Sequence, residues 1–286
     1  ERAALSYAVG EWARMWGLRH LIRAMGAYFV RRNSKDDLYR RVLERYIAMA
    51  TEAGVTQAVY PEGRLTRDGA MGAPRFGVLD YMLRGFHTPG ERDLVFVPLG
   101  LNYDRVLEDR TQLLAGDATA TQPGGLRALA RTLRFVGDQL WLLLRSRWHR
   151  LGYACVNFGT PVSVRAWAAA RGIDFDHLPR EQRQAEVAAL GQHLMGQVGR
   201  LIPVLPVPLV ATVLLAQTER AIDELELKSA VAALVKRLQQ ANAHLYLPLG
   251  DWDYAVSAGL RMLTLRHLVE QSNGLYRARD GETALL

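Results

Sequence analysis

From Ala27 to Leu101, short runs of aromatic and β-branched residues alternate with helically spaced stretches, and that alternation leaves few folds open to the chain. Ala27–Arg31 predicts a strand whose end delivers Arg31 and Arg32. Leu38, Val42 and Ile47, set against Arg40, Arg41, Glu44 and Arg45, predict an amphipathic helix over 38–53 closed by Gly54. Val55–Tyr60 reads as the next strand, 61–74 as a loop rich in Gly, Arg and Asp, and 76–86 as a helix. Leu94–Leu101 is a continuous apolar run, the pattern of a strand buried on both faces. That order implies an α/β layer with a mainly parallel sheet flanked by helices. Before it, residues 1–25 carry helical spacing, with Trp12, Trp16 and Leu18 apolar and Arg14, Arg19 and Arg23 on other faces.

Tyr153–Phe158 predicts one more strand, ended by Gly159, Thr160 and Pro161. Beyond residue 165 the spacing is helical, near 180–201, 209–220, 227–243 and 253–271. The expected organisation is therefore an α/β domain over 1–165 followed by a mostly helical C-terminal region over 166–286. Gly274–Arg279 predicts a terminal strand, and with the helices before it has the pattern of a winged helix. Leu201–Ala216 is the most apolar stretch, but Pro203, Pro206 and Pro208 break its first half, so it reads as an extended approach to a short buried helix. No run of about 18 apolar residues predicts a membrane-spanning helix.

The net charge of +7 favours an anionic partner: nucleic acid, an anionic bilayer or a phosphorylated small molecule. Almost all of the cations are Arg, with Lys only at 35, 228 and 236. Arg grips phosphate with a bidentate fork, although a GC-rich coding sequence gives the same bias. Cys155 is the only cysteine, which excludes an internal disulfide and a cysteine-rich metal site and points to a reducing compartment. The chain begins at Glu1 without an initiator Met, from which we expect the natural protein to start further upstream.

Two strand ends carry converging positive charge. Arg31 and Arg32 leave the first; Glu62, Arg64, Thr66 and Arg67 leave the second, with Gly63 and Gly69 allowing close backbone approach. Several Arg side chains and loop N–H groups in fixed positions are what a phosphate dianion requires. Glu62 has the wrong charge for that task and reads as structural, holding loop N–H groups or an Arg. Pro98 reads as a shaping residue.

These segments resemble, in order and spacing, the conserved blocks of the membrane-associated glycerol-3-phosphate acyltransferases. Residues 26–32 (GAYFVRR) look like the second block, 60–69 (YPEGRLTRDG) like the third, and 97–108 (VPLGLNYDRVLE) like the fourth. Leu38-Tyr39 and Tyr46 match a Leu-Tyr…Tyr pattern between the second and third blocks, and 8–17 (AVGEWARMWG) resembles the stretch before the second. The resemblance covers about 8–165 and extends more weakly into the C-terminal part. It implies transfer of a fatty acyl group from acyl-CoA or acyl carrier protein to the 1-hydroxyl of sn-glycerol 3-phosphate, giving lysophosphatidic acid in the first step of phospholipid synthesis. No cofactor or metal is implied. The implied substrate-binding residues are Arg31, Arg32, Lys35, Glu62, Gly63, Arg64, Thr66 and Arg67, with Phe29, Pro98, Tyr103 and Glu108 shaping the site. The implied setting is the cytoplasmic face of a bacterial inner membrane, peripheral or monotopic.

Two departures from the family pattern stand out. The family uses a His general base with an Asp five positions later. Here the residues five places after His20, His87, His149, His177, His193, His244 and His267 are Met25, Arg92, Ala154, Gln182, Val198, Leu249 and Ser272. The resemblance thus implies a catalytic pair upstream of Glu1. Within the third block, Leu65 replaces the first Arg of the usual Glu-Gly-x-Arg-Ser-Arg, Thr66 keeps the hydroxyl and Arg67 the second Arg, while Arg64 stands one position early.

Leu126, Leu129, Leu133, Val136, Leu140 and Leu143 recur at helical spacing beside Arg127, Arg131 and Arg134, followed by Trp141 and Trp148. Leu126–Arg150 reads either as a basic amphipathic helix in the headgroup layer of an anionic membrane or as a core helix, and the acyl substrate favours the first. Two rival classes are a non-catalytic membrane-associated scaffold and a nucleic-acid-binding protein acting through the winged-helix-like region. The candidate recognition helix 253–271 carries only Arg261 and Arg266, so no nucleic-acid partner is expected.

Overall fold

A computed structural model describes residues 5–10, 18–31, 34–63, 69–84, 86–87, 90–104, 152–218 and 220–281. The chain folds as two units, Glu1–Pro98 with Gly159–Gly199, and Leu99–Phe158 with Arg200–Leu286. It therefore passes between units near residues 98, 158 and 199, which differs from a single boundary at residue 165.

The first unit holds a parallel three-stranded sheet. Strand β1 (Ser6–Gly10) lies between β2 (Ala27–Val30) and β3 (Gln57–Ala58), with Tyr7 opposite Ala27 on one side and Ala58 on the other. Helix α1 (Leu18–Ala24) links β1 to β2, and α2 (Asp37–Glu52) links β2 to β3. The helix expected across residues 1–25 is thus a central strand followed by a short helix. Pairing on both sides overrides the local spacing, and the Ser6 N–H donates to the Thr56 carbonyl at 2.8 Å. Trp12 and Trp16 lie outside the described residues.

Helix α2 starts on Asp36, whose carboxylate accepts the Tyr39 N–H at 3.1 Å, and ends before Gly54 at φ +73°. Its orientation differs from the expectation. Ile47 and Ala48 are buried, whereas Leu38 and Val42 are 72% and 59% exposed. Leu38 and Val42 lie roughly 180° and 140° around the helix from Ile47, so the core takes only one edge of the apolar set.

Helix α3 (Gly77–Arg84) packs Leu79 and Leu83 into a core with Phe86, Phe175, Val187 and Leu190, joined by Val164 and Ala168 of α4 (Val164–Arg171). Val187 and Leu190 belong to α5 (Arg180–Leu201). Arg84 ties α3 to α2 through Glu44 at 2.6 Å while pairing with Asp80 of its own helix at 2.7 Å.

The continuous strand expected over Leu94–Leu101 is two strands, β4 (Val95–Phe96) and β5 (Leu99–Tyr103), parted by Val97 and Pro98. Proline has no N–H to continue a ladder, and here the Pro98 carbonyl accepts from Gly159. β4 pairs antiparallel with β7 (Val162–Ser163), and β5 pairs antiparallel with β6 (Ala154–Phe158). Burial on both faces does not occur either, since Val95, Val97, Leu99 and Leu101 are all exposed.

In the second unit the inner face of the β5–β6 pair holds the chain that leaves α5. Asn157 donates to the Leu201 carbonyl at 2.8 Å and Asn102 to the Pro203 carbonyl at 2.9 Å, while Gly100 has no side chain to push that backbone away. The proline-rich stretch behaves as expected. Val204 bridges Leu245, and the buried helix α6 (Pro206–Leu215) follows with Pro206 in its first turn. Then come β8 (Ile222–Asp223), α7 (Glu224–Gln240), a 3₁₀ turn at Pro248–Gly250, α8 (Trp252–Leu265), β9 (Val269–Ser272) and β10 (Leu275–Ala278). The antiparallel sheet order β8-β10-β9 completes the topology of a winged helix. Asn273 (φ 50°) and Gly274 (φ 79°) form the two-residue turn of the wing, the sequence pair that such a turn favours. Leu209, Val210, Leu214, Leu227, Val231, Leu263 and Leu268 make its core. No helix among the described residues is long and apolar enough to cross a membrane.

Candidate active site

Parallel pairing puts the C-terminal ends of β1, β2 and β3 on one edge of the sheet, where open α/β folds bind ligands. β2 and β3 flank β1, so their exits lie two strand spacings apart, about 10 Å.

Gly26 sets the start of β2. Its φ is +93°, and a Cβ there would collide with the Leu5 carbonyl oxygen just ahead of β1. On β2, Tyr28 packs against Tyr46 of α2 at 5.2 Å, with its hydroxyl pushed up to about 12 by burial. Phe29 takes the Arg23 guanidinium over its ring at 5.6 Å. Arg31 is the first residue beyond the strand and is exposed. Its N–H donates to the Tyr39 hydroxyl at 2.8 Å, and its guanidinium lies 5.6 Å from the Tyr39 ring centre. Lys35 is exposed in the same β2–α2 connection.

The second exit is pinned at its base. The Arg75 N–H donates to the Pro61 carbonyl at 2.7 Å, and the Gly72 N–H donates to the Glu62 carboxylate at 2.7 Å. Glu62 therefore holds a loop N–H group, the structural task its charge fits. Gly63, at φ +66°, donates to the Tyr60 carbonyl, and Gly69 stands at φ +76°. The structure thus brings Phe29, Arg31 and Lys35, and Glu62 and Gly63, to the exits of two strands of one sheet. Arg32, Arg64, Leu65, Thr66, Arg67 and Glu108 lie outside the described residues, as does Leu126–Arg150.

Pro98 is buried at the end of the first unit, and Tyr103 is exposed at the end of β5 in the second. Beside Tyr103 is the acid of the same 97–108 segment, to which the sequence alone assigns no role. Asp104 is 5% exposed, and its two carboxylate oxygens accept the Val207 N–H at 3.0 Å and the Tyr153 N–H at 2.9 Å. Burial raises its pKa, and the two N–H donors oppose that rise. Val207 stands in the first turn of α6, whose own N-cap Leu205 offers no side-chain acceptor, so Asp104 caps that helix from another strand. The available signal was an acid directly after an apolar strand.

Two His–carboxylate contacts exist among the described residues. His87 Nδ1 lies 2.6 Å from Asp176, and His177 Nδ1 lies 2.8 Å from Asp174, which raises the His177 pKa mainly through that hydrogen bond. Both fasten the turn beside Phe86 and Phe175 over the first-unit core, and neither has the five-residue spacing of the family's base.

The segment that holds the parallel sheet and its two pinned exits matches a known family: residues 2–102 match the family described as Acyltransferase. Residues 139–283, just over half of the chain, match the glycerol-3-phosphate acyltransferase C-terminal region, and the chain belongs to that glycerol-3-phosphate acyltransferase family. It is 31% identical over 267 residues to a glycerol-3-phosphate acyltransferase of Pseudomonas putida strain KT2440, covering 90% of this chain and 31% of that one. It is 30% identical over 241 residues to one from Pseudomonas fluorescens strain SBW25, covering 81% and 27%. It is also 30% identical over 240 residues to one from Ectopseudomonas mendocina, covering 81% and 28%. The chain spans about a third of the length of the curated relatives it matches.

Proposed function

We propose that this chain carries the glycerol-phosphate-holding part of an enzyme that transfers a fatty acyl group to the 1-hydroxyl of sn-glycerol 3-phosphate, giving lysophosphatidic acid. The observation that supports this most strongly is the alignment of nine-tenths of the chain with relatives of that name. Arg31 and Arg32 from the β2 exit, with Arg64 and Arg67 from the loop after β3, grip the phosphate. Holding the hydroxyl against the thioester carbonyl supplies much of the rate. The donor is acyl-CoA or acyl carrier protein, and no cofactor takes part. The reaction runs at the cytoplasmic face of the inner membrane, with Leu126–Arg150 on the anionic surface.

In the full-length protein, Arg31→Ala and Arg67→Ala each raise the KM for glycerol 3-phosphate by about 10- to 100-fold, the worth of a charge-assisted hydrogen bond, and leave the acyl-donor KM within about twofold. Steady-state kinetics with each substrate varied in turn measures this, and equal rises in both values would sink the clamp.

The winged helix does not add nucleic acid to the proposed partners. The outer face of α8 presents Tyr254, Ser257, Arg261 and Leu265, a single cation where phosphate binding needs several. Nearby, Arg220 pairs with Glu226, Lys228 with Glu224 and Asp253, Arg277 with Asp280, and Arg279 with Glu270.

A further inference from the structure

We infer that Tyr39 is a positioning residue for glycerol-phosphate binding, acting through Arg31; this rests on the reading of Arg31 as a phosphate ligand. The β1–β2 ladder ends at Val30, opposite Gly10, so Arg31 carries the first amide beyond the sheet. Past the end of a ladder a backbone amide has many partners to choose from, and the chain loses its direction within a residue or two. Here the Tyr39 hydroxyl accepts that amide at 2.8 Å, and the same ring lies 5.6 Å under the Arg31 guanidinium. One side chain therefore fixes both the backbone and the head group of Arg31. The hydroxyl sets where the chain leaves the sheet, and the ring face attracts the cation through its π cloud, without an N–H···O bond.

Tyr39 is itself held. Asp36 accepts the Tyr39 N–H at 3.1 Å as the N-cap of α2, Ser34 accepts the Asp36 N–H at 3.3 Å, and the Ser34 carbonyl accepts from Arg40 Nε at 2.9 Å. The β2–α2 connection, which contains Lys35, is thereby closed across its two ends, from Arg31 to Tyr39. A helix cap, an ordinary device for starting α2, doubles as the second support for the ligand-binding Arg. Tyr39 touches no reacting group in this arrangement, so its removal changes how Arg31 is presented and leaves the chemical step alone.

The test is a set of four variants of the full-length protein: Tyr39→Phe, Tyr39→Leu, Arg31→Ala and Arg31→Ala/Tyr39→Leu. Tyr39→Phe keeps the ring and loses the hydroxyl, and raises the glycerol 3-phosphate KM by about three- to tenfold. Tyr39→Leu loses both contacts and raises it by about three- to fivefold more. In both, kcat and the acyl-donor KM stay within about twofold, which a general loss of packing would not produce. In the Arg31→Ala background, Tyr39→Leu adds less than about twofold, because the contact through which it acts is gone. If Arg31→Ala alone leaves the glycerol 3-phosphate KM unchanged, the clamp fails and this inference falls with it. If Arg31→Ala raises that KM but Tyr39→Phe does not, or if Tyr39→Leu multiplies the Arg31→Ala effect in full, the clamp stands and the positioning role is overturned.

Discussion

Gly26→Ala lowers the melting temperature of the chain by about 10 °C or more, a loss of roughly 4 kcal/mol, while Gly172→Ala costs only about 1 kcal/mol. Both glycines have positive φ, +93° and +63°, so both replacements bear the strain of an L-residue in that region. The difference lies in the space around them. A Cβ on Gly172, the C-cap of α4, meets nothing within 4 Å, whereas one on Gly26 runs into the Leu5 carbonyl, which is backbone and has no rotamer to change. Relief requires moving the start of β1, the strand that pairs on both sides and gives the sheet its binding edge. Thermal unfolding followed by circular dichroism measures both variants, and equal shifts would mean that the close approach of Gly26 to Leu5 does not matter.

The second large effect is at Asp104. Asp104→Ala leaves the buried Val207 N–H and the part-buried Tyr153 N–H without an acceptor, at about 1–3 kcal/mol each, so the variant loses about 2–6 kcal/mol. Asp104→Asn keeps one acceptor oxygen and turns an amide donor toward the other N–H, and loses about half as much. The pH dependence has a definite sign. The folded-state pKa is raised above 3.8, so the fold favours the neutral acid; the titration-linked stabilisation is fully present below pH 3.8 and is lost as pH rises through the raised value, while the two hydrogen bonds persist at neutral pH. Chemical denaturation at neutral pH ranks the variants. Wild-type stability for Asp104→Ala would remove the helix-capping role.

Much of this architecture is legible in the residues, and the parts that are not share a cause. β2, α2, α5 and the wing strand β10 lie near their expected positions because propensity, apolar period and end signals agree there. β1 reads as helix because its five residues become a strand only when two distant segments pair with them. Val97 and Pro98 sit inside an apolar run, and only the partners at 154–158 and 162–163 reveal that two ladders meet there. Leu38 and Val42 share a face in the sequence pattern, but the face that meets the core is the one that buries Ile47, beside the Glu44–Arg84 pair to α3. At the site, the Arg and Gly positions are visible because their spacing is local. The roles of Tyr39 and Asp104 depend on amides 8 and 103 residues away, which no local pattern encodes.

The most direct measurement is acyl transfer by the full-length protein supplied with labelled sn-glycerol 3-phosphate and either acyl-CoA or acyl carrier protein charged with a fatty acid. The expected product is 1-acyl-sn-glycerol 3-phosphate with at least one donor, and none when glycerol without its phosphate is supplied. No acylated glycerol 3-phosphate with either donor, or equal acylation of glycerol, would contradict it.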